Sequence, residues 1–124
     1  DHVEVSGEAP LGLAGAPIVG VLPHMHLLGV AFRAEIERAN GDRECLVDLP
    51  SYDFVHQSLW LFGDSAYVDV MPGDLHRMTC VFDNSLANQP FVGGMPKVPV
   101  DVTWGDASTD EMCVDALLRV VALE

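Results

Sequence analysis

Short segments separated by turn-forming residues are the feature that most restricts the fold of this chain. Its 124 residues include eleven glycines and eight prolines, spread along the whole length. Both residue types interrupt long helices, and the sequence shows little helical periodicity. Many short strands joined by turns are typical of antiparallel β-proteins. We therefore expect an all-β protein, an antiparallel jelly-roll sandwich with a single domain over residues 1–124.

The clearest strand prediction covers residues 30–38, where apolar residues alternate with largely charged ones. The Asn40–Gly41 pair that follows is typical of a type I′ hairpin turn, in which both central residues have positive φ. Residues 43–49 are then predicted as the returning strand. Further strands are predicted at residues 54–62, 66–70, 75–82 and 98–104, and weaker ones at 1–6 and 16–22.

The C-terminal segment satisfies two local patterns at once. Ser108–Glu111 matches a capping box, and residues 112–123 are good helix formers, so local rules predict a helix. The same stretch also fits a strand buried on both faces. The residues alone leave both structures open.

The acidic charge balance limits the partners of this chain. It has 19 acidic and 6 basic residues, for a formal net charge of −13. Binding to nucleic acid or to an anionic membrane surface requires clustered Lys and Arg. No apolar run approaches the ~20 residues of a membrane-spanning helix. We therefore expect no nucleic-acid partner and no membrane partner.

A pair of histidines is the first candidate for chemistry. In an extended segment, residues two apart point to the same face, so His24 and His26 would present two imidazoles side by side. Neutral imidazole is a common metal ligand. Such a pair also occurs as ordinary surface or core histidines, and this motif alone leaves both interpretations open.

Met112 is the second candidate. It begins an apolar element directly before Cys113, a position where a methionine is most often core filler. If its thioether joins the two imidazoles, the ligand set favours copper, because a soft sulfur ligand selects Cu(I). Such a site keeps open coordination positions for water, oxygen or substrate.

Three cysteines allow at most one internal disulfide. Cys80 and Cys113 each lie in a predicted strand, and a bridge between them would contribute about 3–4 kcal/mol of stability in the chain-entropy model. Two free buried thiols are the alternative. Cys45 has no evident partner and is predicted to be a small buried residue. His56 is predicted to be a hydrogen-bonded core residue, and His76 to be structural or exposed.

The string Pro23-His24-Met25-His26-Leu27-Leu28-Gly29 resembles the HxHxxG copper motif of the type II copper, ascorbate-dependent monooxygenases. That family includes peptidylglycine α-hydroxylating monooxygenase and dopamine β-monooxygenase. Further stretches agree in order, at residues 45–48, 52–57, 72–85 and 103–113. The chain is most similar to bacterial members of the family.

The resemblance implies the C-terminal of the family's two jelly-roll domains. It implies that His24, His26 and Met112 bind one copper ion per chain, at which dioxygen is activated. It also implies a Cys80–Cys113 disulfide. In the full-length enzymes, a second copper in the preceding N-terminal domain relays electrons from ascorbate, and a C–H bond of a small-molecule substrate is hydroxylated.

The resemblance further implies that residues 111–122 form a strand, which overrides the capping box.

The chain departs from the family pattern at two points that bear on activity. The N-terminal copper domain is missing from these residues, so the chain alone is not expected to turn over as a coupled monooxygenase. Leu22 stands where the peptide-hydroxylating enzyme has an Arg that binds a substrate carboxylate, and Val114 and Ala116 stand near positions of its Asn and Tyr. Peptide amidation is therefore not expected.

Three functions are consistent with these residues. The leading hypothesis is the oxygen-activating half of a bacterial copper monooxygenase, located outside the cytoplasm. The second is a non-catalytic extracytoplasmic copper carrier or storage module. The third is a structural jelly roll without metal. The sequence does not identify the substrate.

Overall fold

A computed structural model describes residues 2–12 and 14–121. Apart from three short 3₁₀ turns, the regular structure of these residues consists of strands. In chain order the strands are β1 His2–Pro10, β2 Ile18–Met25, β3 Gly29–Glu37, β4 Arg43–Leu49, β5 Trp60–Leu61, β6 Leu75–Asp83, β7 Phe91–Val92, β8 Met95–Pro96 and β9 Cys113–Arg119. The predicted all-β class is confirmed, in a single small domain.

The strands form two main sheets and a small hairpin. The larger sheet has the order β1-β6-β3-β4, the smaller one has the order β5-β2-β9, and β7 pairs with β8. All of these pairings are antiparallel. A Cys80–Cys113 disulfide connects β6 to β9, with a Cα–Cα distance of 5.9 Å. The disulfide that the resemblance implied is thus present, and it links the two sheets.

The buried core combines side chains of both sheets. Six of its almost fully buried members lie on β2 and β3, namely Ile18, Val21, Met25, Phe32, Ala34 and Ile36. On β3 these residues alternate as the sequence predicts, so one face of the strand meets the other sheet. Removal of this apolar surface from water is the main force that holds the sheets together. Among the described residues, no helix has the length and hydrophobicity needed to span a membrane.

The turn between β3 and β4 is not the predicted type I′ turn. Gly41 has a φ of +89°, whereas no residue other than glycine has positive φ in the described part of the chain. Asn40 contributes through its side chain, because its Oδ1 accepts the Asp42 N–H at 3.0 Å. A side chain that bonds the backbone two residues on stabilises the turn without left-handed geometry at Asn40.

A register shift changes which residues of β4 are buried. The shift lies between Ala34 and Glu35 on β3. As a result β4 buries Leu46 and Val47 in succession and leaves Cys45 exposed. The prediction that Cys45 is buried is therefore wrong, because one extra residue in a strand turns its neighbours to the opposite face.

The strand predicted over residues 54–62 is largely replaced by a 3₁₀ turn at Phe54–His56, followed by the short strand β5. Asp53 accepts the Val55 N–H through its side chain at 2.9 Å and caps this turn. Such a local bond competes with an extended backbone. The predicted strands at residues 66–70 and 98–104 are likewise reduced to isolated bridges.

The strand predicted over residues 111–122 is confirmed over Cys113–Arg119, and the alternative helix does not form. Residue 122 lies outside the described residues. In a capping box the Glu111 carboxylate would turn back to its own segment. Here it accepts main-chain N–H groups of His26 and Leu28 at 3.3 and 2.7 Å. Glu111, which would close a capping box in a helix, thus makes a tertiary contact instead.

Candidate metal centre

His24 and His26 meet where β2 ends. Their ring centroids are 5.0 Å apart, and their planes are nearly perpendicular at 86°. His24 is half-buried, and His26 is buried at 4% exposure. The structure therefore brings the two predicted imidazoles together at one end of the smaller sheet.

The Nδ1 atom of His24 lies 2.6 Å from Oε1 of Gln57. The Gln57 amide nitrogen donates to the Phe54 carbonyl at 2.8 Å, which fixes the orientation of the amide group. Its oxygen therefore faces the imidazole, and Nδ1 of His24 is the donor. In a neutral ring this tautomer leaves the lone pair on Nε2.

His26 has a matching arrangement. Its Nδ1 lies 3.1 Å from the main-chain oxygen of Asp110. A carbonyl oxygen only accepts, so Nδ1 of His26 also carries the proton. Metal-binding histidines usually donate their second ring N–H to a carbonyl or carboxylate, which fixes the ring and its tautomer. Both imidazoles thus have the chemistry of ligands that bind a metal through Nε2.

Two contacts fix the main chain around these histidines. The buried Tyr52 hydroxyl donates to the Met25 carbonyl and accepts the Met25 N–H, each at 2.9 Å. On the other side, the Glu111 carboxylate binds the main chain of the loop that follows β2. Burial raises the pKa of Glu111 above its ordinary 4.5, while those amide donors oppose the shift.

Gly29 of the motif is required for packing. A Cβ at this position would lie 2.7 Å from Cβ of Met25 and 2.9 Å from its Cε. Such distances are shorter than side-chain packing allows, and Met25 is fully buried. The glycine at this place in the HxHxxG pattern therefore lets the chain turn back over Met25 between the two histidines.

Met112 lies directly before β9, whose first residue Cys113 pairs with Met25. The next pair outward in this register would be His26 with Met112. The cavity that Met112 lines contains neither histidine, and the cleft beside His24 does not contain Met112. The ligand set of His24, His26 and Met112 therefore stays a prediction.

Over residues 2–12 and 14–121, no group of three or more His, Cys, Asp and Glu side chains is arranged to hold a metal ion. If the two imidazoles bind a metal ion, any third protein ligand would be of another kind. The predicted third ligand is the thioether of Met112, and methionine is not among the four residue types of such a group.

The other two internal histidines are not part of this pair. His56 is hydrogen-bonded, as predicted, to the Asp53 carboxylate at 2.6 Å, but its side chain is 80% exposed rather than in the core. This bond lowers the pKa of Asp53. His76 lies 3.0 Å from Asp115 in a buried pair that joins β6 to β9. The predicted structural role of His76 fits this position.

A cleft of about 220 Å³ opens beside His24. Apart from Gln57 and Asp115, its other lining residues are aliphatic: Leu22, Val114 and Ala116. None of the residues that line it is a Lys or Arg. The cleft therefore offers no cation to hold a substrate carboxylate, in agreement with the departure noted at Leu22.

The sequence did not assign roles to the residues that position the histidines. Gln57, Asp110 and Glu111 belong to the stretches that carry the resemblance, and the last two also to the capping box, but neither pattern predicts their contacts with the histidines. Their contacts join residues at least 33 positions apart.

No known protein-family model and no curated protein sequence matches this chain significantly.

Proposed function

We propose that this chain is the copper-binding, oxygen-activating jelly-roll domain of a bacterial type II copper monooxygenase located outside the cytoplasm. The observation that carries the proposal is the pair of imidazoles whose Nδ1 atoms are both held by oxygen acceptors. An antiparallel fold of two sheets and a disulfide between them are consistent with such a domain. The disulfide is also consistent with an oxidising compartment.

In this proposal His24 and His26 bind one copper ion through Nε2, and Met112 supplies the third ligand. The bound copper supplies one-electron chemistry with dioxygen, which a soft thioether favours by stabilising Cu(I). Gln57 and the Asp110 carbonyl keep the rings in the ligand tautomer. Glu111 keeps the chain ahead of Met112 close to the loop after His26.

The other components of the reaction come from outside this chain. Ascorbate is the electron donor, through the copper of an N-terminal domain, and the substrate is a small molecule whose C–H bond is hydroxylated. The aliphatic cleft beside His24 is the place where the chain's own residues would orient that substrate. Its lack of a Lys or Arg supports a substrate other than a peptide carboxylate.

Titration of the metal-free protein with Cu(I), against a chromophoric chelator, tests the site. The wild type should bind one tight equivalent, and X-ray absorption should show nitrogen and sulfur neighbours. His24→Ala and Met112→Ile should each weaken binding by at least about tenfold. Met71→Ile is the matched control, because Met71 is 55% exposed. Absence of a tight site in the wild type would leave only a structural jelly roll.

A non-catalytic copper carrier or storage module is the second candidate. The open cleft beside His24 favours it, because copper handed between proteins needs an accessible site. The two candidates differ in turnover. A full-length protein that forms hydroxylated product with ascorbate and dioxygen is a monooxygenase, whereas release of peroxide without product favours the carrier.

A further inference from the structure

An apolar cavity of about 290 Å³ lies on the side of the molecule where β1 runs past β9. Its walls come from separate parts of the chain: β1, the end of β6, the loop after β2, and residues 102–113. The apolar side chains that matter most are Val3, Val5, Phe82 and Trp104. This cavity is separate from the cleft beside His24.

The cavity lies where the four-stranded sheet extends beyond the three-stranded one. β1 is the outer strand of the larger sheet, and Val5 pairs with Cys80 while Val3 pairs with Phe82. Cross-strand partners share a face, so these valines face the side on which Cys80 reaches β9. β9 is itself the edge of the smaller sheet. The valines stay 53% and 46% exposed, because no described strand covers them.

Two of the polar side chains that line the cavity, Glu111 and Asn84, are already engaged. Both oxygens of Glu111 accept main-chain N–H groups of the loop after β2. Asn84 donates to the Val100 carbonyl at 2.9 Å and accepts from Gln89 at 2.7 Å. No Lys or Arg lines the cavity, and the net charge of −13 repels anions. A ligand here must be held by apolar contact.

We propose that this cavity binds a small, uncharged, apolar molecule in contact with Val3, Val5 and the Trp104 ring. Its volume lies near the lower end of the range for small-molecule sites, which indicates a ligand of one or two rings. Trp104 is 66% exposed, so its ring is available for such a contact. The proposal does not depend on copper.

On the side of residues 103–111, the cavity rim offers a peptide strand little main-chain hydrogen bonding. A docked strand needs free main-chain donors and acceptors at the rim. On the side of residues 103–111 these groups are paired, because Glu111 N–H donates to Thr103 and Gly105 N–H donates to Glu111, at 3.0 and 3.2 Å. A compact apolar ligand requires none of these groups.

The test uses the neutral fluorescent probe N-phenyl-1-naphthylamine and the metal-free protein. Its emission should rise on binding to the wild type. Val5→Tyr, which fills the cavity, should weaken binding by at least about tenfold, or 1.4 kcal/mol. Ser6→Tyr is the matched control, because the adjacent residue of β1 faces the other side. Circular dichroism verifies that both variants are folded.

Energy transfer from tryptophan to the probe provides a second readout that needs no cavity-filling variant. It should fall more in Trp104→Phe than in Trp60→Phe, since Trp60 lies on β5 and does not line the cavity. Probe binding by the copper-site variant His24→Ala should match the wild type, because His24 does not line the cavity. Failure of this proposal is therefore distinguishable from failure of the copper proposal.

Four results would overturn the proposal. They are no probe binding by the wild type, an equal loss in Ser6→Tyr, binding of the anionic probe 8-anilinonaphthalene-1-sulfonate as tight as that of the neutral one, and a fall in energy transfer in Trp104→Phe no larger than that in Trp60→Phe. Sedimentation that shows self-association of the wild type but not of Val5→Tyr would also overturn it, because this face would then dock a second copy.

Discussion

Nδ1 of His24 donates to Oε1 of Gln57 at 2.6 Å, across 33 residues of sequence. The Gln57 amide is held in turn by the carbonyl of Phe54. The 3₁₀ turn that replaces the predicted strand is therefore what delivers a hydrogen-bond acceptor to the imidazole. If His24 binds a metal ion, Gln57 would act on that ion only through His24, as a positioning residue.

Replacing Gln57 with Leu should weaken Cu(I) binding roughly 10–100-fold, because the His24 ring then loses its orientation and its preferred tautomer. Competition with a Cu(I) chelator measures this change. Gln57→Glu restores the acceptor and should recover most of the affinity. The exposed neighbour provides a control, since Ser58→Ala should bind as the wild type does. Unchanged affinity in Gln57→Leu would contradict the assigned role.

Tyr52→Phe should lower the free energy of unfolding by about 1–3 kcal/mol, because it leaves the buried N–H and carbonyl of Met25 without their partner. Urea denaturation measures the difference. Tyr67 is exposed and bonds only Asp64, so Tyr67→Phe should change stability by less than about 0.5 kcal/mol. Equal effects of the two substitutions would show that the Met25 contact contributes little.

Gly29→Ala should lower the free energy of unfolding by about 1–3 kcal/mol, because the new methyl group overlaps the buried Met25 side chain. Thermal and urea denaturation measure the loss. Gly7→Ala is the matched control, since nothing lies within 4 Å of the added Cβ. A Gly29→Ala protein as stable as the control would mean that Met25 repacks at no cost.

Removal of the disulfide in the double variant Cys80→Ser, Cys113→Ser should lower the free energy of unfolding by about 3–4 kcal/mol. The reason is the loop of 33 residues that the bridge closes in the unfolded chain. Urea denaturation with and without reductant measures the effect, and reductant should leave the double variant unchanged. Cys45→Ser should match the wild type, because Cys45 is an exposed free thiol.

The sequence predicted the strands whose pattern is local. Strands β3, β4 and β6 lie within a residue or so of the predicted ranges, because alternation and flanking turns determine them. Residues 54–62 were predicted wrongly, since one Asp53 side chain caps a turn that strand propensity does not register. The exposure of Cys45 was missed because a register shift depends on how two strands pair.

The candidate site likewise has features that the sequence predicts and features that it does not. Proximity of His24 and His26 is predictable, because residues two apart in an extended segment share a face, although the strand itself ends at Met25. The acceptors that fix their tautomers are not, since Gln57 and Asp110 reach them from turns whose position depends on the whole fold. The helix that the capping box alone would favour after Ser108 does not form for a similar reason, because Glu111 bonds to a distant loop; the strand implied by the resemblance forms instead.

The Cys80–Cys113 bridge ends one residue from Met112. A newly made chain with reduced thiols lacks the covalent link that holds this part of β9 against β6. If Met112 is a copper ligand, biosynthesis follows a fixed order in which thiol oxidation precedes loading with metal. A copy retained in a reducing compartment would then lack this covalent link next to Met112, and we expect it to load copper less well than the oxidised protein.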